Sequence, residues 1–332
     1  IDGLEEPVDL VAQMNVSEVG IHVDLAGSSG ISSYGINVPF CYTEAYASFG
    51  IKCIVAPEVP NNAGSLATIR ISAPEGTILN AKHPAPVSVR HVTGQMLPDL
   101  MFGCLHQALD NSVPAEGTSC LWNLYAYGGS GRVEADPKTL ENAETFTVLS
   151  FHSGGAGARP GKDGLSATAF PSGVRNVPVE VTEAISPLLV WRKEFRQDSG
   201  GPGTYRGGLG QTMELGLTEN SPFAFSALFD RIDHPPLGRE GGANGAGGKV
   251  GLASGKVLKG KGTQTIPAGE RVVISMPGGG GLGPPDARQP RDVGADVKAG
   301  LVSVDAARKH YRVVVDADGQ IDEAATLHLR KG

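Results

Sequence analysis

Asp198-Ser199-Gly200-Gly201-Pro202 has the residue types that surround a serine nucleophile. A serine attacks readily only when a histidine base takes its proton and a carboxylate orients that base. The upstream histidines are His22, His83, His91, His106 and His152, and none stands in the Ala-Ala-His-Cys setting that accompanies this signature. Arg196 occupies the position of the disulfide cysteine expected two residues before Asp198, and 133 residues follow Ser199 where a short tail is expected. The five-residue match lacks the rest of its machinery. Ser199 is better read as a hydroxyl that shapes its loop or caps a backbone amide.

Other constellations point to other chemistries. Gly278-x-Gly280-x-x-Gly283 follows a predicted strand, as a dinucleotide loop does, but Pro284 and Pro285 stand where the phosphate-binding helix would continue. A tight turn is the expectation there. Gly255-x-x-x-x-Gly260-Lys261 has phosphate-loop spacing, with Gly262 in place of the magnesium-binding Ser or Thr. Asp230, Asp233 and His234 offer oxygen and imidazole ligands to a divalent metal, yet a polar turn before Pro235-Pro236 accounts for them more simply. His152 beside a glycine loop is either a hydrogen-bonding residue or a group titrating near neutrality. Arg159, Asp163, Arg175, Arg196, Asp198, Arg206 and Arg231 all lie in or beside glycine loops. Arg and Asp so placed can hold an anion or amide bidentately, or cross-link the loops themselves.

Composition narrows the classes. The 332 residues are 40% hydrophobic and 19% charged, which is globular rather than disordered. A net charge of -7 does not suggest a general nucleic-acid or anionic-membrane surface. No stretch approaches the roughly 18 apolar residues of a membrane span. Gly (47) and Pro (23) cluster without a Gly-X-Y period, which favours a turn-rich, strand-rich fold with long ordered loops. Cys41, Cys53, Cys104 and Cys120 form no Cys-x-x-Cys pair and are expected to be buried thiols in a reducing compartment. The first residues, IDGLEEPVDL, are acidic, without a signal-peptide core or starting Met, so a processed product or a piece of a longer polypeptide is expected.

The elements that must position these groups follow from periodicity. Residues 8–16 and 19–25 alternate apolar and polar side chains, as half-buried strands do. Residues 39–55 read as a helix. In 93–109, apolar pairs recur at 96/97, 100/101, 104/105 and 108/109, a helical stripe with Pro98 in the first turn. Strands are expected at 145–151 and 271–277, and a short helix at 303–311 with Ser303 as its N-cap. A soft boundary falls near 140–150. The fold class expected is α+β, a strand-rich mixed architecture with long glycine-rich loops.

Motifs across the chain carry a family resemblance. RPGKDGLSA (159–167), VRNVPVEVTE (174–183), RQDSGGPGTYRGGLG (196–210), DRIDHPPLGREGGANG (230–245) and PGGGGLGPP (277–285) occur in that order, followed by the tail at 291–315. VDLAGSSG (23–30), the 62–87 segment and VPAEG (113–117) precede them. Together they resemble the C-terminal part of the hydantoinase B family, which includes N-methylhydantoinase and 5-oxoprolinase subunits and relatives in acetone and acetophenone carboxylases.

The resemblance implies a cytoplasmic subunit in a hetero-oligomer with a hydantoinase A-like partner. That partner would bind ATP and Mg2+ and phosphorylate an amide or ketone oxygen. The reaction implied is hydrolysis of a cyclic amide of hydantoin, 5-oxoproline or lactam type. The alternatives are a ketone carboxylase subunit and a non-catalytic scaffold. Any divalent metal would be held by His/Asp-rich segments upstream of this chain or on a companion chain. The loops at 152–164, 196–208 and 230–245 are expected to converge at the reaction site or at the partner interface. Asp198, Arg206 and His152 are the catalytic candidates. Arg159, Asp163, Arg175, Ser199 and Arg231 are the substrate-binding ones.

Overall fold

The computed structural model describes residues 1–129, 145–168, 170–218 and 220–331. Among the described residues three sheets and eight α-helices accompany a bundle of glycine-rich segments, so the fold is α+β.

The N-terminal unit is built on an antiparallel hairpin, β1 (Gln13–Ser17) and β2 (Gly20–Asp24), with β3 (Ile69–Ser72) parallel to β2. The first strand is shorter than the 8–16 alternation predicts. Residues 8–11 serve instead as a pairing partner for the 28–29 turn, through Asp9 N to Ser29 Oγ at 2.9 Å and Val11 N to Ser28 Oγ at 3.0 Å. Helix α1 (Phe40–Val55) covers this sheet, and α2 (Ala63–Leu66) leads into β3. The stripe at 93–109 becomes two helices, α3 (His91–Gly94) and α4 (Leu97–His106). The break falls at Pro98, which has no N–H to give to the Gly94 carbonyl and so sits in a first turn. Gly50 lets α1 approach α4 closely: a Cβ there would lie 2.7 Å from Pro98 Cα.

Two four-stranded antiparallel sheets form the central sandwich. One has the order β10 (Lys261–Ile266), β8 (Phe223–Leu228), β4 (Leu121–Gly129), β5 (Thr145–Ser153). The other has β6 (Leu188–Phe195), β7 (Gln211–Leu217), β11 (Val272–Ser275), β9 (Lys249–Leu252), and α5 (Val179–Ile185) precedes β6. Strand alternation decides what is buried. Trp122, Leu124 and Ala126 of β4 and Phe223, Phe225 and Ala227 of β8 point inward against Met213, Leu215, Val272 and Ile274. Trp122 stacks on Phe229 at 4.2 Å between centroids. The boundary expected near 140–150 falls partly outside the described residues; β5 pairs with β4 from Thr145 to Ser153.

The glycine run after β11 is not the tight turn its prolines suggest. Gly278–Gly281 is extended and runs through the middle of the bundle, giving each amide to a different neighbour. Gly278 N reaches Ala246 O (3.1 Å), Gly279 N reaches Gly208 O (2.9 Å), Gly280 N reaches Glu116 O (2.8 Å) and Gly281 N reaches Ala243 O (2.9 Å). Pro284 and Pro285 stop the run only after it has left the bundle, in the 3-10 turn Pro285–Ala287. The approach is too close for side chains: a Cβ on Gly278 would lie 1.9 Å from Ser199 O, and one on Gly279 would lie 2.0 Å from Ala156 O.

The C-terminal helices α6 (Pro290–Lys298), α7 (Val304–Tyr311) and α8 (Glu323–Lys331) enclose a small core of their own around Val293, Tyr311 and Val313. Ser303 caps α7 by accepting from Ala306 N at 3.0 Å, where the sequence places the cap. The expectation that all four cysteines are buried holds only for Cys120; Cys41 is exposed and Cys53 and Cys104 are half-buried, because α1 and α4 turn those positions toward their flanks. Among the described residues no helix is long and apolar enough to cross a membrane.

The bundle makes a direct prediction. Gly279→Ala must push the Ala156 carbonyl aside and will cost at least about 3 kcal/mol. Gly30→Ala, where a Cβ meets nothing within 4 Å, will change stability by less than about 1 kcal/mol. Thermal and urea denaturation of the two variants measures the difference; equal stabilities would contradict the packing described.

Candidate active site at Asp99

Asp99 lies in the first turn of α4, on the face that packs against the loops, and is only 4% exposed. Three donors meet its Oδ2: Ser119 Oγ, Gly117 N at 3.2 Å and Arg231 Nη2 at 3.3 Å. Arg231 is shared, since its Nη1 donates to Glu116 Oε2 at 3.0 Å and its Nε to Thr118 O at 3.4 Å. Arg239 Nη2 donates to the Asp99 backbone carbonyl at 3.3 Å. Ser119 and Arg231 both hold left-handed backbone, φ 57° and 67°, a costly choice for residues with a Cβ. The loop before β4, the start of α4 and the turn after β8 are thus locked together by one carboxylate.

Burial, reinforced by the neighbouring Glu116, pushes the Asp99 carboxyl up to about 6, and Arg231 and Ser119 restrain it from rising further. A carboxyl in that range exchanges a proton near neutrality. It stands at the wall of a cavity of about 320 Å³ whose other walls are largely apolar: Ile54, Phe102, Leu165 and Phe170. Phe102 and Phe170 stack at 6.0 Å. A polar end with a proton-exchanging group and an apolar body suit a small ligand with one polar functional group.

The sequence candidates divide among five places. Arg159 lines the Asp99 cavity while its Nε and Nη2 donate to the Asp163 carbonyl at 3.3 and 2.9 Å, and Arg231 bonds the Asp99 carboxylate itself. Asp163 and Arg206 belong to a buried clamp. Arg288 grips Asp163 at 2.7 and 2.8 Å and Asp296 at 2.8 Å, and Arg206 Nε meets Asp296 at 3.2 Å. That clamp fastens α6 to the glycine bundle. Asp198 and Ser199 lie at the C-terminal seam. Asp198 Oδ1 accepts from Ser303 N at 2.8 Å, and Ser199 Oγ donates to Arg196 O at 2.5 Å while accepting from Gly210 N at 3.0 Å. His152 is enclosed between the sheets, bonded to Ser150 Oγ at 2.9 Å and lining a small void with Leu188, Val190 and Met213. Burial first, and Lys193 second, bring its pKa down to about 4. Arg175 is exposed and makes no hydrogen bond or ion pair among the described residues.

The 152–164, 196–208 and 230–245 loops do converge, backbone to backbone, but the titrating group at the cavity comes from α4. Asp99 was hidden in the sequence because an acid in a helix's first turn has an ordinary reason to be there, the helix dipole. Glu116 lies in the 113–117 motif and Ser119 two residues beyond it. Among the described residues no group of three or more His, Cys, Asp or Glu is arranged to hold a metal ion. Asp230 instead binds Lys261 at 2.7 Å, and His234 binds Asp2 at 2.8 Å.

A buried carboxylate thus stands at the wall of a cavity beside backbone-packed glycine loops, within an α+β fold. The chain belongs to the hydantoinase B/oxoprolinase family, whose family model matches residues 2–285. It is 32% identical over 289 residues to the beta chain of the caprolactamase of Pseudomonas jessenii, covering 80% of this chain and 47% of that protein. To the protein named as the B-type component of a D-/L-hydantoinase in Pseudomonas sp. (strain NS671) it is 29% identical over 279 residues, 82% of this chain and 45% of that protein. The fold superposes on the crystal structure of the ATP-dependent caprolactamase of Pseudomonas jessenii with a TM-score of 0.81 at 30% identity, covering 98% of this chain and 57% of that one. A nucleotide-free acetone carboxylase structure shares the fold at TM-score 0.75 and 20% identity, covering 98% of this chain and 48% of that one. The chain therefore spans about half the length of these two curated relatives.

Two titrations of opposite sign follow. Asp99 has a folded pKa above its ordinary 3.8, so its contribution to stability is full below pH 3.8 and is lost as pH rises through about 6. His152 has a folded pKa below its ordinary 6.5, so its contribution is present above pH 6.5 and is lost as pH falls through about 4, up to about 3 kcal/mol. Urea denaturation at stepped pH will show the acid loss flattened in His152→Leu, and the one-proton step near pH 6 removed in Asp99→Asn.

Proposed function

We propose that this chain is the C-terminal part of the B-type subunit of an ATP-dependent hydrolase that opens a cyclic amide. It works with a companion subunit of the hydantoinase A type that binds ATP and Mg2+. The observation carrying the reading is the buried Asp99 carboxyl, proton-exchanging near neutrality, at the polar end of an apolar cavity of about 320 Å³.

An amide resists hydrolysis because resonance stabilises it and its nitrogen leaves poorly. Phosphorylation of the amide oxygen by the companion subunit and ATP removes the first obstacle by making the carbon electrophilic. Asp99 addresses the second: a carboxylic acid with a pKa near 6 protonates the departing nitrogen and recovers the proton afterwards. Arg231 holds the carboxylate in place and limits its basicity, while Phe102 and Phe170 pack on the ring of the substrate and exclude water. Family membership and the likeness to the caprolactamase, at 30% identity, support hydrolysis.

The full-length subunit combined with its ATP-binding companion will consume ATP as it opens a hydantoin, 5-oxoproline or lactam ring. Asp99→Asn will lower kcat at least about 100-fold, the scale of lost general acid–base catalysis. Bicarbonate-dependent consumption of acetone or acetophenone in place of ring opening would replace this reading with a ketone carboxylase. Unchanged turnover in Asp99→Asn would make the domain a scaffold.

A further inference from the structure

Ser119 is the one hydroxyl bonded directly to the Asp99 carboxylate among the described residues. It lines the cavity, and its backbone is held at φ 57°, where an Asn or Gly would sit at less cost. Its partner is placed as a base should be: Asp99 Oδ2 accepts the serine proton and is itself held by Gly117 N and Arg231 Nη2. The backbone amides of Ser119 and Gly157, both residues of the cavity wall, donate to no acceptor among the described residues. An N–H on the nucleophile's own residue, with a second on the same cavity wall, offers donors of the kind that stabilise an oxyanion or a departing phosphate oxygen.

We propose that Ser119 is a covalent nucleophile, with Asp99 as its base. The inference rests on the reading of the cavity as the place of amide cleavage. Ser119 Oγ attacks the carbon of the O-phosphorylated amide, its proton passes to Asp99, and the C–O bond to phosphate breaks. This leaves an imidate ester on Ser119. Water adds across the C=N bond and the C–N bond breaks, with Asp99 delivering the proton to nitrogen. A second water cleaves the resulting ester and restores the Ser119 hydroxyl. One ATP and two waters are consumed for one ring opened and one phosphate released. The activated carbon explains why a carboxylate suffices where an unactivated amide would need histidine. The serine that the sequence advertises, Ser199, spends its hydroxyl on Arg196 O and Gly210 N; Ser119 carries no recognisable signature.

The test is covalent labelling with a fluorophosphonate, read by intact mass and by sequencing of the modified peptide. The reactive probe will modify Ser119 in the folded wild-type chain, and the adduct will vanish in Ser119→Gly. Glycine accepts φ 57° freely, which offsets the hydrogen bond lost to Asp99, so that variant will unfold cooperatively with a melting temperature within a few degrees of wild type, which separates loss of a nucleophile from loss of the fold. In the ATP-driven complex Ser119→Gly will lower kcat at least about 100-fold, with KM within about threefold. An unmodified Ser119 in wild type, or Ser119→Gly turning over at the wild-type rate, overturns the proposal, and ring opening in the second case leaves the cyclic-amide reading intact. A Ser119 adduct in a complex that opens no cyclic amide supports the nucleophile and removes the substrate assignment.

Discussion

The close contact of glycine backbones in the bundle is the constraint on which the rest of the molecule depends. Segments at 154–158, 199–208, 236–246 and 278–281 approach until carbonyl oxygens occupy the space where Cβ atoms would be, about 2 Å from the ideal positions at Gly155, Gly207, Gly278 and Gly279. Buried backbone must be hydrogen-bonded, and these segments satisfy one another instead of joining a sheet. The arrangement exchanges side-chain packing for backbone density. It also fixes the loops that a strand-rich fold would ordinarily leave mobile, so residues borne on them keep their positions without a helix or strand beneath.

That rigidity explains how charge is tolerated inside. Arg231 reaches Asp99 and Glu116 from a turn whose own residue is left-handed, and its Nε is satisfied by Thr118 O. A flexible loop would let the guanidinium escape to water, since removing an ion pair from solvent costs more than a loose geometry returns. The bundle holds the acceptors still, so the pair persists where it is useful. The same scaffold receives the C-terminal helices through Arg288 and Arg206.

Much of the fold was legible in the sequence because it is written in local periodicity: α1, the stripe of α4, strands β2, β5 and β11, and the Ser303 cap all follow from spacing and capping chemistry. The family was legible in the order of glycine motifs. What could not be read was pairing across long separations. Asp99 meets Ser119 20 residues away and Arg231 132 residues away, and no window in the chain contains them together. The run at 278–283 misled for the related reason that two prolines signal a turn locally, whereas the extended path of Gly278–Gly281 is set by four distant segments. Asp198 and Arg206 are charged residues among glycines, a setting shared by residues that cross-link loops and residues that face a cavity.

Charge balance separates these two uses. In the clamp, Arg206 and Arg288 face Asp163 and Asp296, two cations against two carboxylates, and hydrogen bonds from Arg288 and the Arg206 amide hold Asp163 below its ordinary pKa against its burial. Such a cluster has no use for a proton and serves as a fastener. At the cavity, Arg231 alone pairs with both Asp99 and Glu116, and Arg239 reaches only the backbone carbonyl. Asp99 is buried and shares this guanidinium with the half-buried Glu116, so burial first and the neighbouring carboxylate second raise it until a proton binds near neutrality. Burial with an excess carboxylate alongside, which would be a defect in a structural ion pair, is what gives the cavity a group able to accept and return a proton.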